Sequence, residues 1–537
     1  MSPLWGKRNR GSEGGGEQAE EEEGRGSENP PPERGRRGAS PTERTRLLPR
    51  GGYLDPDDPA VSPYNLWSVR ALRGLTVLFL VISFVWWILL LVSLFVSPPG
   101  MNSRGSGFFD FSFTTLTIGN LLIALVFFSV PSRPMTIWGI VLSLFLAVNL
   151  FIILGVPRLR VEEGWVGIAS AAWATVISIY LLAQTRYVQR GKREEEERLT
   201  GREETRRPLR EWLAVLIETI IMTVTALISI LLMSTLILRA KDASLAAPGK
   251  KYYVDNHKYQ VHLACVGELP SSILGSNNQT TTPATVLLEA GEMPVEHSFK
   301  NWVDEAYRNG SIDRYCYWDR PGMGWSDNAP SPHSAGMSAD VLSETLALAG
   351  EDGPWVVVSA GVGGIYSRIF ASRHAHDVSG LMLIDALHED LLPNIGKPGR
   401  GFLLWLRGIF SPLGLDRLAG AIFKGRTRED RVFGKRAYQG GKFIKAKLQE
   451  NLVADSTTKS EISSAKHIQE PNMPLVVVSS GIETRRSRRW ENLQKDLTNI
   501  TNKLVAWDVV KGAPHEVWQT EYGKAVLGHR LKELVKK

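Results

Sequence analysis

The stretch WVVVSAGVGGIYSR, residues 355–368, decides how the second half of this chain is interpreted. An apolar run that is typical of a buried strand stops abruptly, small residues follow, and a helix-like segment begins. This order is that of a nucleophile elbow, in which G-x-S-x-G places a serine on a sharp turn between strand and helix. Gly361 stands at the position of that serine. The stretch therefore predicts an elbow that has lost its nucleophile.

The composition excludes several classes of protein. The chain has 537 residues and a net charge of +7, from 63 basic and 56 acidic residues. So small an excess does not indicate a nucleic-acid-binding protein. Two cysteines cannot form a disulfide framework, and no Cys/His cluster has the spacing of a zinc site. We therefore expect no nucleic-acid partner, no metal site and no cofactor.

Five apolar stretches indicate a membrane domain over residues 74–238. They follow a first segment, residues 1–73, whose Gly, Glu, Arg and Pro content predicts a disordered tail. Each stretch is long enough to cross about 30 Å of hydrocarbon, so the lipid bilayer is the expected partner. The predicted transmembrane spans are 74–97, 111–130, 135–156, 164–184 and 213–238.

The distribution of Lys and Arg predicts the orientation of these spans. The tail carries twelve of them and residues 185–211 carry nine, whereas residues 98–110 carry one and residues 157–163 carry two. Basic flanks stay in the cytosol, so we expect a cytosolic N-terminus and an extracytosolic, lumenal C-terminal half. Glycosylation sequons at Asn278, Asn309 and Asn499 agree with this side.

The C-terminal half, residues 250–537, alternates β-like runs with helical stretches, which predicts an α/β domain with a largely parallel sheet. Three further motifs occur in a defined order around the elbow. LLEAGE ends a strand at residues 287–292, DRPGMGWSD occupies residues 319–327, and APHEVW occupies residues 513–518. With these four motifs in this order, the domain resembles the α/β-hydrolase fold over nearly its full length.

The segment at about 390–470 is too long for a loop between two strands, and we expect it to form a helical cap. Its amphipathic and basic part, residues 401–426, either covers the pocket or rests on the bilayer, and covering the pocket is the commoner role in this fold.

With five spans ahead of such a domain, the chain resembles a fungal family of polytopic membrane proteins that end in an α/β-hydrolase-like domain of unknown function. Members of that family are often labelled mitochondrial integral membrane proteins. The resemblance implies a fold and a topology but no substrate. It leaves the organelle open between the endomembrane system and the mitochondrion.

The fold implies roles for several residues. In active members a serine attacks a carbonyl, a histidine accepts its proton, and an acid orients the histidine. His515 is the predicted base. Glu483 and Asp385 each follow a predicted strand, and either of them supplies the acid. The backbone N–H groups of Val362 and Glu292 form the expected oxyanion hole.

The missing nucleophile leaves three hypotheses for function. Glycine tolerates the dihedral angles of the turn, so Gly361 keeps the elbow while it removes the oxygen. The first hypothesis is thus a non-catalytic or atypical hydrolase-like domain that binds a small apolar or lipid-like ligand. The second is an active membrane-bound ester or lipid hydrolase that uses Ser359, which lies about 6–7 Å back along the strand. The third hypothesis is a transporter or receptor with a ligand-sensing domain. It is the weakest of the three, because the spans contain few polar residues: Asn120, Asn149 and Glu218.

The two cysteines lie on strands that this fold places side by side. Cys265 falls on the second strand and Cys316 on the fourth. A disulfide needs Cα atoms roughly 4.4–6.8 Å apart, which neighbouring strands can just supply. We nevertheless expect two buried free thiols.

Overall fold

The computed structural model of the chain describes residues 64, 66–101, 103–201, 209–268, 273–274, 280–281 and 283–536. Most of the predicted tail lies outside these ranges, and so does the sequon at Asn278.

Five helices of the described residues are long and apolar enough to cross a membrane. Their ends differ from the predicted spans. The first helix already begins inside the predicted tail, and the fourth and fifth extend well beyond residues 164–184 and 213–238. The bounds are α1 Trp67–Ser93, α2 Phe108–Val126, α3 Arg133–Gly155, α4 Pro157–Thr200 and α5 Leu209–Ala243.

Local sequence explains several features of this helical region. Ser132 caps α3, because its hydroxyl accepts a hydrogen bond from the N–H of Met135 at 3.1 Å. Gly164, with φ 61° and ψ −164°, interrupts α4 at the residue where the fourth span was predicted to begin. Glu218 is fully buried and accepts a hydrogen bond from the Ser132 hydroxyl at 2.9 Å. Its side chain therefore faces the helix bundle.

The C-terminal domain contains an eight-stranded sheet with the order β1-β2-β4-β3-β5-β6-β7-β8. β1 and β2 are antiparallel, β2 is antiparallel to β4, and all other neighbours are parallel. This topology is that of the α/β-hydrolase fold, so the predicted fold class is confirmed. The strands are β1 Lys250–Val254, β2 Tyr259–Val266, β3 Thr285–Glu289, β4 Tyr315–Trp318, β5 Trp355–Ala360, β6 Val378–Ile384, β7 Leu475–Ser480 and β8 Leu504–Val510.

Both faces of the sheet are buried, as the apolar strands require. Successive residues of β3 alternate between two cores: Val286 and Leu288 pack on one face, and Leu287 packs on the other. The helices that follow the strands cover both faces. The helices outside the membrane region are α6 Phe299–Arg308, α7 Ala335–Ala349, α8 Gly363–Arg373, α9 Leu392–Ile395, α10 Pro398–Phe410, α11 Leu415–Phe423, α12 Arg428–Val432, α13 Gly441–Val453, α14 Lys459–Ile468, α15 Gly481–Arg486, α16 Arg488–Leu497 and α17 Glu521–Val535.

The expectation of two free thiols is wrong. Cys265 on β2 and Cys316 on β4 are direct register partners, and they form a disulfide. Because the two strands are antiparallel neighbours, opposite side chains on the same face lie close enough for a bond.

Helices α9–α14 lie between β6 and β7, where the cap was predicted. The amphipathic residues 401–426 do not cover the elbow. α10 instead packs on α2, so closely that a Cβ at Gly408 would meet the ring of Phe108, and α11 packs on α5.

Several hydrogen bonds join the membrane helices to the α/β domain. After α1, the N–H of Ser97 donates to the Ser331 carbonyl at 2.8 Å, and the buried Lys445 ammonium of α13 donates to the Leu94 carbonyl. At the start of α4, Arg158 binds the Asp327 carboxylate at 2.8 Å. The ends of α1 and α4 are thus attached to the same face of the domain.

Candidate active site around Gly361

The elbow residue lies at the end of β5, where the chain turns into α8. Gly361 has φ +50°, in the left-handed region that favours glycine. Its N–H donates to the Ile384 carbonyl at 3.2 Å, and its carbonyl accepts from the N–H of Leu387 at 2.7 Å. These two bonds attach the turn to β6, so the position of residue 361 is defined by the backbone alone.

The glycines after the turn allow α8 to approach the sheet. A Cβ at Gly363 would lie 2.2 Å from the Ala290 carbonyl oxygen, and one at Gly364 would lie 2.6 Å from the Ala386 Cβ. Neither position can hold a larger residue without movement of the backbone or of a neighbour. The glycines of the elbow motif therefore serve packing at these two positions.

His515 and Asp385 form a hydrogen-bonded pair beside the turn. The two groups are joined by a 2.6 Å bond between His515 Nδ1 and Asp385 Oδ2. Asp385 is fully buried, and its Oδ1 accepts from the N–H of Ser480 at 3.0 Å and from the Trp490 indole at 2.9 Å. The carboxylate is therefore fixed on both oxygens, and it leaves Nε2 of the imidazole free to face the turn.

The environment of His515 shifts the pKa of its imidazole. Burial opposes the charge, but the hydrogen bond and the charge of Asp385, together with Glu292 and Glu516, outweigh it and raise the pKa of His515. The imidazole side chain is 40% exposed, so it can adjust its position.

The free nitrogen of His515 faces the vacant position at Gly361. A Cβ built on Gly361 would lie 3.1 Å from His515 Nε2. A side chain at this position would thus meet the imidazole directly, as a nucleophilic serine does in active members of the fold. The structure brings Gly361, His515 and Asp385 together in the arrangement of a triad without its hydroxyl.

The two expected oxyanion-hole residues lie on either side of this position. Val362 begins the turn into α8, and Glu292 follows β3 in the loop whose Gly291 packs against Ala360. Neither the Val362 nor the Glu292 amide donates a hydrogen bond to another backbone group in the part of the chain that the structure describes. Both are therefore available to a ligand oxygen.

The side chain of Glu292 also faces the site. Only the backbone amide of this residue was predicted to contribute there. Its Oε1 lies 3.7 Å from the same Cβ position at Gly361, and its Oε2 pairs with Lys447 of the cap at 3.3 Å. Burial favours the neutral carboxyl, but Lys447 and Arg320 outweigh it and lower the pKa of Glu292. The vacant position is thus bordered by an ionised carboxylate as well as by the imidazole.

A buried ion pair holds the loop that carries Glu292. Arg320 binds Glu289 at 2.9 Å and donates to the carbonyls of Ala290 and Gly291, while Trp318 donates to Glu289 at 2.6 Å. Burial raises the pKa of Glu289 to about 7, although Arg320 acts in the opposite direction. Arg320 belongs to the DRPGMGWSD motif, which marked the loop but predicted no role for this arginine, whereas Trp490 and Lys447 have no motif that marks them.

Two other predicted site residues lie away from His515. Glu483 donates its N–H to the Ser480 hydroxyl, and its carboxylate lies 4.0 Å from Arg486. Of the two predicted acids, Asp385 is the one that the structure pairs with His515. Ser359 is fully buried and shares a 2.7 Å hydrogen bond with Ser367, so its hydroxyl faces α8 and not the imidazole.

A cavity of about 30 Å³ lies above the turn, and we call it the Gly361 cavity. Apolar side chains form much of its wall, and His515 and Glu292 border it on the polar side. No cap residue lines it among those that the structure describes. Its apolar wall consists of Met293, Pro294, Phe299, Ala360 and Trp518.

Two groups of side chains among the described residues have the spacing of a metal site, and one of them consists of the disulfide cysteines and Glu351. His388, Glu389 and Asp496 lie close together, but they already pair with protein groups. His388 binds Asp496 at 2.9 Å, and Glu389 binds Arg368 at 2.6 Å. We therefore describe this cluster as an ion-pair network.

The comparisons with known proteins relate the whole chain to fungal proteins. Residues 43–265 match a family described as a region of unknown function, DUF2417. An uncharacterized protein of Schizosaccharomyces pombe is 34% identical over 531 residues, which cover 92% of this chain and 96% of that protein. An uncharacterized vacuolar membrane protein of Saccharomyces cerevisiae is 27% identical over 53% of this chain and 50% of its own length. The mitochondrial label is not among the descriptions of these two relatives.

Among solved structures, an α/β-hydrolase enzyme from a deep-sea metagenome library, MGS-M2, is 10% identical. The match covers 54% of this chain and 98% of that chain, with a TM-score of 0.39.

Proposed function

We propose that this chain, which belongs to the family of the Schizosaccharomyces pombe protein, is a multi-pass membrane protein. Its α/β-hydrolase domain binds a ligand without covalent serine catalysis. The observation that carries the proposal is the vacant position at Gly361, where a Cβ would lie 3.1 Å from His515 Nε2. The imidazole has its orienting acid but no hydroxyl to deprotonate. Loss of the serine alone removes about 10⁶ in kcat from a triad enzyme.

The retained polar groups suit a small apolar or lipid-like ligand with one polar end. His515, Glu292 and Gly361 line a space of about 30 Å³, which admits a single oxygen-containing group, and the amide of Val362 follows directly after Gly361. Met293, Phe299 and Trp518 would contact the apolar part next to it. Buried polar groups of this kind bind strongly only to a ligand that satisfies their hydrogen bonds.

Binding of 2-octanone, a carbonyl compound with an apolar chain, tests this proposal on the full-length protein in detergent. We expect saturable binding, measured by tryptophan fluorescence, that His515→Ala weakens about tenfold through the loss of one hydrogen bond to the ligand. His529→Ala is the matched control, because that imidazole is exposed on α17. Equal affinity of wild type and His515→Ala would contradict the proposal.

Ester hydrolysis separates this proposal from catalysis by a displaced serine. We expect negligible turnover of 4-nitrophenyl esters by the wild type, and no change with Ser359→Ala. Robust turnover that Ser359→Ala abolishes would favour a serine hydrolase and overturn the proposal.

A second candidate function is hydrolysis by direct attack of water. The Gly361 cavity has about the volume of one water molecule and lies between His515 and Glu292. There the imidazole would take a proton from water as the hydroxide attacks a carbonyl, and would return that proton to the departing alcohol. Turnover without a burst that is lost in His515→Ala and kept in Ser359→Ala would establish this candidate, since a general base supplies about 10²–10⁴ in rate.

We further propose that the α/β domain lies on the extracytosolic side of an endomembrane. The Cys265–Cys316 disulfide supports an oxidising compartment, and the sequon residues Asn309 and Asn499 are both exposed. The vacuolar description of the yeast relative agrees with the endomembrane system. In sealed vesicles whose outer face is cytosolic, protease should spare residues after 250 and cleave the tail. Digestion of the domain in such vesicles would overturn this orientation.

A further inference from the structure

A cavity of about 290 Å³ lies between the membrane helices and the cap, away from the elbow. Its walls come from α2, α4 and α5, from the start of β1, from the loop after β4 and from the cap. It shares no lining residue with the Gly361 cavity. We call it the basic cavity, because six basic side chains line it: Arg158, Arg239, Lys251, Arg417, Arg431 and Lys442.

The arginines of the basic cavity are held by carboxylates. Asp242 binds Arg417 at 2.9 Å and also binds Arg431. Glu162 binds Arg158 at 2.9 Å and Arg239 at 2.8 Å. These pairs fix the guanidinium groups in the wall and compensate their charges, so the arginines alone do not require an anion.

The two lysines are different. Within the described ranges, neither Lys251 nor Lys442 forms an ion pair. The Lys442 ammonium donates to the Gly324 carbonyl at 3.2 Å, and the Lys251 ammonium lies 6.0 Å from the centre of the Trp325 ring. Burial, and then the charges of Arg158 and Lys442, lower the pKa of Lys251 to about 8. Burial also lowers the pKa of Lys442. The charges of Glu162 and Asp327 oppose both shifts, so two lysines face the cavity near carboxylates but without a direct ion pair.

The N-terminus of α13 adds uncharged donors to the same wall. Residues 440–443 line the cavity, and the helix has Gly440 at its N-cap, with no side-chain cap. The N–H groups of residues 441–443 donate to no other group among the described residues. Free amides at the start of a helix favour an anion, and they lie here beside Lys442.

The position of the basic cavity suits a ligand that comes from the bilayer. Ser411 and Arg417 both line it. Ser411 directly follows α10, and Arg417 lies in α11. These two helices pack on α2 and α5 and expose large apolar side chains, among them Phe402, Leu403, Leu415 and Phe423. A lipid could therefore place its tail on this apolar surface while its head group enters the cavity.

We propose that the basic cavity binds a phosphate group through Lys251, Lys442 and the amides at the start of α13. The phosphate belongs either to a phospholipid head group or to a soluble phosphate, and both present the same chemistry to these donors. This site is independent of the ligand proposed for the Gly361 cavity.

The test uses full-length protein purified in dodecyl maltoside, a detergent without phosphate. The thermal unfolding midpoint is measured with sodium phosphate and with sodium chloride at equal ionic strength, and with phosphatidic acid and diacylglycerol in mixed micelles. The bound phosphorus of the purified protein is assayed as well. We expect sodium phosphate to raise the unfolding midpoint where sodium chloride does not, or phosphatidic acid to raise it where diacylglycerol does not.

Variants connect this response to the two lysines. Lys251→Gln with Lys442→Gln should weaken apparent phosphate affinity about 100-fold, because each charge-assisted contact contributes about tenfold. Lys495→Gln with Lys532→Gln removes the same charge from exposed positions and should have no effect. Lys251→Arg with Lys442→Arg keeps the charge and should retain binding.

The outcomes distinguish the sources. A response to phosphatidic acid that inorganic phosphate does not reproduce assigns the site to a lipid head group, and the reverse assigns it to a soluble phosphate. Absence of both responses and of bound phosphorus in the wild type would overturn the proposal, even if the glutamine variants fail to fold. An equal response of wild type and folded glutamine variants would also overturn it.

Discussion

The two cavities of this protein are built in different ways. The Gly361 cavity is formed by residues that follow β3, β5 and β8 at one edge of a single sheet, and a missing side chain defines it. The basic cavity is formed between membrane helices, sheet and cap, and two lysines without a direct ion pair define it. α13 connects them, because Lys442 lines the basic cavity and Lys447 pairs with Glu292, which borders the Gly361 cavity. The Gly361 cavity therefore depends on backbone geometry, and the basic cavity depends on the assembly of two domains.

The largest effect is expected from removal of the acid in the His515–Asp385 pair. In a Gly361→Ser background, Asp385→Asn should slow reaction with a fluorophosphonate about 10⁴-fold, because the imidazole loses its orientation and its stabilising charge. The second-order rate of labelling measures the effect. Glu483→Gln is the matched control and should keep the rate, since Glu483 does not contact His515. Equal rates for all three proteins would mean that the pair has no chemical role.

A smaller effect tests whether backbone packing defines the Gly361 cavity. Gly363→Ala places a Cβ 2.2 Å from the Ala290 carbonyl oxygen, and we expect a loss of about 1–3 kcal/mol in the free energy of unfolding. Gly399→Ala in α10 is the control, because nothing lies within 4 Å of its Cβ. It should be neutral or slightly stabilising. Thermal unfolding in detergent compares them, and an unaffected Gly363→Ala protein would contradict the described contact.

The attachment of α13 to the membrane helices should depend on pH. Burial lowers the pKa of Lys445 to about 7, whereas a lysine in the unfolded chain titrates near pH 10.4. Between these values the unfolded state binds more protons, so the Lys445 contribution to stability rises with pH, by up to about 1.4 kcal/mol per unit. Thermal midpoints from pH 7 to 9.5 should rise less steeply in Lys445→Met than in the wild type. Lys495→Met, at an exposed position, should keep the wild-type slope.

The order of strand-end motifs explains why the fold was predictable. Each motif lies at the end of a strand, so four of them in sequence specify which strand ends meet at the site. The elbow itself was predictable because glycine at position 361 keeps a turn that other residues strain. Which of Asp385 and Glu483 is the acid was not predictable, since both follow strands. It depends on Ser480 and Trp490, which bind Asp385 from distant parts of the chain.

Other features depend on contacts that a linear pattern does not contain. The basic cavity draws its cations from positions 158 to 442, and no spacing rule relates them. The disulfide required the register of β2 on β4, which places Cys265 directly opposite Cys316. The amphipathic pattern of residues 401–426 was compatible with covering the pocket and with resting on the bilayer. Only the packing of α10 on α2 distinguishes these two positions.

Fluorophosphonate labelling of wild type and Gly361→Ser, with the modified residue identified by peptide mass spectrometry, shows whether the triad frame is intact and lacks only its hydroxyl. We expect no labelling of the wild type and labelling of Gly361→Ser at residue 361, because His515 Nε2 lies within hydrogen-bond reach of a serine there after a small shift. Gly361→Ser with His515→Ala should lose it. Labelling of wild-type Ser359, or a folded Gly361→Ser protein that stays unlabelled, would contradict the account.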